Sequence, residues 1–113
     1  MIKNMPIAEA VALVDLVVYQ PGQVVSRTLA QNAATSMTLF AFPEGEGLST
    51  HTTPADALAI ILDGRAAIAI GDETQTLGAG ESVVMPANVP HALDAVEPFK
   101  MLLIIIKESG GSD

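Results

Sequence analysis

Two side chains carry most of the chemistry this sequence offers: His51 and His91, its only histidines in 113 residues. A neutral imidazole can ligate a metal, accept or donate a hydrogen bond, and exchange a proton near neutral pH. There is no cysteine, so disulfides and thiolate metal sites are excluded. No Ser-His-Asp pattern supplies a nucleophile, and no Gly-rich loop leads into a helix to hold phosphate. Gly45-Glu46-Gly47 is too short for that role and joins two strand-like runs. Three readings of the histidines stand side by side. Each is a buried polar residue with one hydrogen-bond partner, Thr53 being in reach of His51 from the same strand face. Or the two rings line a metal-free pocket that binds a ligand or moves protons. Or they hold a metal.

The elements that must position them are strands. Turn signals recur at Pro21-Gly22, Pro43 to Gly47, Asp63-Gly64, Gly71-Asp72, Gly78 to Gly80, Pro86 to Pro90 and Glu97-Pro98, with apolar stretches of strand length between. That rhythm argues for an all-β sandwich or barrel. Strands are predicted at 16–20, 24–30, 37–42, 57–62, 66–70, 74–77, 82–85, 91–96 and 99–106. Asp63-Gly64 is read as a two-residue hairpin turn between Leu58–Leu62 and Ala66–Ile70. Pro6–Val14 is the one candidate helix, with Pro6 at its first position and good helix formers behind it. Phe99–Ile106 is apolar at nearly every position, which predicts burial of both faces, one in the barrel and one under the N-terminal segment or a partner subunit. Lys100, the one charge in that run, is expected at a solvent-reaching edge. Met37, Met85 and Met101 lie in strand-like segments and are read as core filling.

The segments around the histidines resemble the two signature motifs of the cupin superfamily. The first family motif runs Gly, five residues, His-x-His, three or four residues, Glu, six residues, Gly; Gly45, His51 and Gly64 fall in place, while Thr53 replaces the second His and Ala57 the Glu. The second runs Gly, five residues, Pro-x-Gly, two residues, His, three residues, Asn; Gly80, Pro86 and His91 fall in place, Asn88 replaces Gly, and Ala95 replaces Asn. Asn is a tolerable substitute because it also visits left-handed backbone conformations. The resemblance implies one domain over 1–113, a small antiparallel jelly-roll β-barrel with its core about 16–107 and a frayed Gly/Ser-rich tail at 109–113. It also implies that His51 and His91 point into one cavity inside the barrel. Ala57, Ala59 and Ile61, inward by alternation, would line it with Thr53, and the alanines leave room.

In the family, Glu and three His surround a divalent metal. Here His51 and His91 alone are in place to ligate Zn, Ni, Mn or Fe, and two imidazoles bind such ions weakly. Asp56, Glu44, Glu46 and Asp94 are the carboxylates nearest in sequence; alternation turns Asp56 to the opposite face unless a bulge re-aims it. Three functions therefore stay open: a small-molecule-binding module, which the reading favours; a metal-dependent isomerase or dioxygenase with a reduced site; and a structural homodimer without a small ligand.

Composition narrows the partners. The net charge is −8 with five Lys and Arg, which disfavours nucleic acid and anionic membrane. No cationic leader precedes an apolar run, and the longest apolar stretch, Met101 to Ile106, falls far short of the roughly 20 residues of a membrane helix, so a cytoplasmic protein is expected. Half the residues are hydrophobic and 16% charged, against about a quarter charged in typical domains. A homodimer that covers apolar surface is expected, with Leu16 to Leu29 as its nearest contributors.

Overall fold

The computed structural model describes residues 1–107; the tail expected to fray at 109–113 lies outside the described residues. Eight antiparallel strands follow one another: β1 Val25–Gln31, β2 Thr35–Phe42, β3 Gly47–His51, β4 Asp56–Ile70, β5 Glu73–Gly78, β6 Ser82–Met85, β7 His91–Asp94 and β8 Phe99–Ile106. They form two layers of one curled sheet. The order β1-β2-β8-β4 is flanked by β6, and the second half of β4 is flanked by β5 and by β7, which carries β3 at its far edge. The turn rhythm predicts an all-β domain, and the jelly-roll arrangement is the one that the motif resemblance implies.

β4 makes the connection between layers, and it corrects the predicted hairpin. Its 15 residues run through Asp63-Gly64 without reversing. A two-residue turn of the Asp-Gly kind needs positive φ at both positions. Here Gly64 has φ 75 while Asp63 is not left-handed. The pair instead stays in the strand, opposite Lys100 and Phe99 of β8, just after a bulge at Leu62 where the register slips between Ile61 and Asp63. Residues up to Gly64 pair with β8, and those from Arg65 onward pair with β5 and β7. The Gly64 backbone lies so close to Pro98 that a Cβ would overlap the Pro98 carbonyl oxygen.

The interior between the layers holds Phe42, Phe99, Ile61, Ile68, Met85, Leu93 and Met101, all fully buried, with Phe42 and Phe99 stacked at 4.6 Å. Each such side chain contributes about 1.5–3 kcal/mol by leaving water. Met85 and Met101 fill this core as expected, and Met37 packs at the edge of a second one. That second cluster explains the two-faced strand. Phe99 and Met101 of β8 face the interior, whereas Leu102 and Ile104 join Leu29, Leu39 and Ala41 on the outer face.

The outer layer is the chain's own N-terminal segment, through Met5, Leu13, Leu16, Val17 and Tyr19. This segment is neither the helix predicted at Pro6–Val14 nor the strand predicted at 16–20. It contains a single 3-10 turn, Leu13–Leu16, and an isolated bridge between Gln20 and Gln23. So short a helix has too few internal bonds to hold itself, and the need to lay apolar residues on the sheet sets its path. Lys100 reaches into this layer rather than to a solvent-exposed rim. Its Nζ donates to the Val14 carbonyl at 2.6 Å and lies 5.1 Å from the Tyr19 ring centroid. The Tyr19 hydroxyl donates to Asp63 beside it. Burial, that hydrogen bond, and the Asp63 and Glu97 charges push the Tyr19 hydroxyl above its ordinary pKa, so it stays protonated.

Candidate functional site

His51 closes β3 and His91 opens β7, and the two strands pair with His51 opposite His91. Three local features bring them there. Gly45 turns the chain into β3 with φ 86. Gly47 lets β3 approach β7 so closely that a Cβ would overlap the Leu93 carbonyl. Asn88 takes the left-handed φ of 66 that its place in the motif requires, and its N–H donates to the Thr53 carbonyl at 2.8 Å, tying together the loops that bear the two histidines. The β3–β7 register slips between Leu48 and His51, so a bulge, rather than simple alternation, sets where His51 lies.

The imidazoles meet edge to face, with ring centroids 4.3 Å apart. His91 is buried, with 4% of its surface exposed, and is the one buried polar residue among the described residues; His51 is exposed. Each Nδ1 faces the carbonyl two residues earlier: Ser49 at 2.8 Å for His51, Val89 at 3.3 Å for His91. A carbonyl only accepts, so each Nδ1 carries a proton, and in a neutral ring Nε2 then keeps the lone pair. No buried side-chain nitrogen or oxygen of the described residues lacks a partner. His91 Nε2, which makes no hydrogen bond among them, therefore reaches solvent. Burial holds the His91 pKa below its ordinary value; the Val89 bond opposes this, and the neighbouring His51 adds to it. His91 is therefore held neutral at pH 7, and its Nε2 presents a hydrogen-bond acceptor.

The other residues singled out in the sequence lie around this pair in different roles. Thr53 does not partner His51; its hydroxyl donates to the Ala55 carbonyl at 3.1 Å. Ala57, Ala59 and Ile61 are inward, as alternation predicts, and all three are buried in the packed interior with Met85 and Met101. Two cavities, of about 610 and 290 Å³, are open to the surface, and neither is lined by a histidine. The smaller one sits between the 54–56 and 87–88 loops that flank the histidine-bearing segments. The sequence did not point to the carbonyls of Ser49 and Val89, because backbone acceptors carry no residue-type signal.

The donor set for a divalent metal stops at two imidazoles. Asp56, the carboxylate nearest the family's Glu position, accepts the Ala87 N–H at 2.8 Å, which commits it to the neighbouring loop. Glu44 and Asp94 are exposed. Among the described residues, no three His, Cys, Asp or Glu come together as a metal-binding group. These residues do not fit the three-ligand centre that catalytic zinc or non-haem iron requires.

Comparison with known proteins places this geometry in context. The profile of the Cupin domain matches residues 38–105. A conserved protein of unknown function from Streptococcus pyogenes is 39% identical and superposes with a TM-score of 0.93 over 96% of each chain. A cupin superfamily protein from Desulfitobacterium hafniense is 32% identical with a TM-score of 0.92, over 96% of this chain and 99% of that one. A Cupin 2 conserved barrel domain protein from Leptotrichia buccalis is 42% identical over 83% of this chain, which spans 46% of that protein, with a TM-score of 0.81. A comparison with curated proteins finds no match. No helix among the described residues is long and apolar enough to cross a membrane.

Proposed function

The chain belongs to the Cupin domain family, and on that premise we propose that it binds a small neutral molecule at the His51–His91 pair, with the molecule's hydroxyl or N–H groups donating to the two Nε2 atoms. The observation that carries this reading is the matched placement of the rings, with each Nδ1 facing the backbone carbonyl two residues earlier. In a neutral imidazole a carbonyl at Nδ1 favours the Nδ1–H tautomer, which leaves Nε2 as the acceptor. A binding site needs little more than a few convergent polar groups beside apolar surface. A metal-dependent isomerase or dioxygenase needs a third protein ligand, which Asp56, held by Ala87, does not supply. The donor set therefore favours binding over metal chemistry.

The test is a titration of protein with a library of small polyols, phenols and amides, following the imidazole ring signals by NMR. A binder is expected to shift His91 and His51 signals together, and His51→Ala is expected to weaken it. If no donor-bearing molecule moves either ring while zinc moves both at micromolar concentration, the metal reading replaces this one.

A further inference from the structure

The smaller cavity, about 290 Å³, opens on the outer side of the barrel wall. Ala57 is buried in the interior, so its neighbour Asp56 faces outward, and Asp56 pairs across the strands with Ile106, which is also exposed. Backbone bonds fix the walls: the Asn88 N–H donates to the Thr53 carbonyl at 2.8 Å, and the Lys107 N–H to the Ala34 carbonyl at 2.7 Å. Three polar side chains line the space, the Asp56 carboxylate, the Asn88 carboxamide and the Lys107 ammonium, beside the apolar surface of Pro54 and Ile106.

The fold does not use these three groups up. Asp56 accepts the Ala87 N–H through Oδ1, which leaves Oδ2 to a ligand. Asp56 and Lys107 line one cavity yet form no ion pair with each other. Asn88 stands where the family motif has Gly, and glycine would satisfy the left-handed φ of 66 as well. The backbone there does not call for a carboxamide; the side chain adds a donor and an acceptor at the cavity. None of the three takes part in the His51–His91 contact or bonds to either ring.

We propose that this cavity binds a small zwitterion of the α-amino acid class, with its ammonium between Asp56 and Asn88, its carboxylate on Lys107, and a short aliphatic side chain against Pro54 and Ile106. Charge selects the class. A simple anion would gain Lys107 but meet the Asp56 carboxylate and the chain's net −8, and a simple cation would gain Asp56 but meet Lys107. A ligand that carries both signs satisfies both groups at once. Size agrees, because at about 30 Å³ for each water the space holds roughly ten, which suits a small aliphatic amino acid. The site is separate from the histidine pair, and neither reading depends on the other.

The experiment is an amide NMR titration of the full chain with L-alanine and L-valine. Isobutylamine and isovalerate, which each carry one of valine's two charges, serve as comparisons. Both amino acids are expected to move the Ala87, Asn88 and Lys107 amide signals together and to saturate in the millimolar range. Each single-charge probe is expected to bind about fivefold more weakly than valine, the upper worth of one exposed charge pair. Lys107→Gln and Asp56→Asn are each expected to weaken amino-acid binding by about the same factor. Asn keeps an oxygen for the Ala87 N–H, and circular dichroism confirms that both variants fold. Lys3→Gln, which removes a charge from the N-terminal segment, should change nothing. The proposal is overturned if neither amino acid moves these amides at about 50 mM, well above a millimolar dissociation constant. It is equally overturned if isobutylamine or isovalerate binds as tightly as valine, or if Lys3→Gln weakens binding as much as Lys107→Gln does. The imidazole ring signals report on the histidine pair separately, so the two readings fail independently.

Discussion

Replacing Gly64 with alanine separates two costs at the point where β4 passes from one layer to the other. The left-handed φ of 75 costs a residue with a Cβ about 1–2 kcal/mol. The new Cβ would also overlap the Pro98 carbonyl and stand 2.8 Å from the Phe99 Cα, both backbone atoms that cannot rotate away. Forcing extra volume into packed structure costs about 1–3 kcal/mol more. The expected loss is therefore about 2–5 kcal/mol, a large share of the roughly 5–15 kcal/mol that holds a domain of this kind together. Gly45→Ala supplies the control, since Gly45 has φ 86 and open space around its Cβ position. It should lose only the conformational part, about 1–2 kcal/mol. Urea unfolding followed by circular dichroism measures both; with a slope near 1.5 kcal/mol/M, a loss of 3 kcal/mol lowers the midpoint by about 2 M. The displacement should also reach the site, because Ile70 at the end of β4 pairs with His91. If Gly64→Ala costs no more than Gly45→Ala, close approach to Pro98 and Phe99 is not what demands glycine there.

Three further outcomes are expected. The unfolded chain protonates a histidine near pH 6.5, whereas buried His91 resists protonation to lower pH, so between those values the unfolded state binds more protons. Stability is then full above about pH 6.5 and falls as pH drops towards the folded His91 pKa; urea midpoints from pH 8 to 5 should show this slope, and His91→Gln should flatten it. Lys100→Met keeps the buried stem but removes the donor to Val14, so it should cost about 1–3 kcal/mol and raise hydrogen exchange in the 13–19 segment. Unchanged exchange there would mean that Lys100 does not clasp the N-terminal layer. Thr53→His combined with Ala57→Glu restores the family's four-ligand pattern and should raise zinc affinity at least about tenfold in calorimetric titration. No gain would mean that His51 and His91 are not oriented as family ligands are.

Much of the fold is written locally. β6 and β8 lie where apolar runs between turn residues put them, at Ser82–Met85 and Phe99–Ile106, and burial of both faces of β8 follows from the lack of alternation there. The two histidine turns are equally legible, because a left-handed Asn88 and a left-handed Gly45 are demands of single residues on their own backbone. What sequence could not decide depends on partners distant along the chain. Asp63-Gly64 has the composition of a hairpin turn, yet β8, β5 and β7 are available to pair on either side of it, and long-range pairing keeps it inside one strand. Lys100 turns to the Val14 carbonyl because the N-terminal layer folds over β8, and Asp56 is spent on Ala87 because the 86–88 loop returns beside it. The contact of His51 with His91 rests on the β3–β7 register and its bulge. Residue spacing placed each histidine after a turn but predicted no strand at Gly47–His51; pairing of that strand with β7 set the rings 4.3 Å apart, one buried and one exposed.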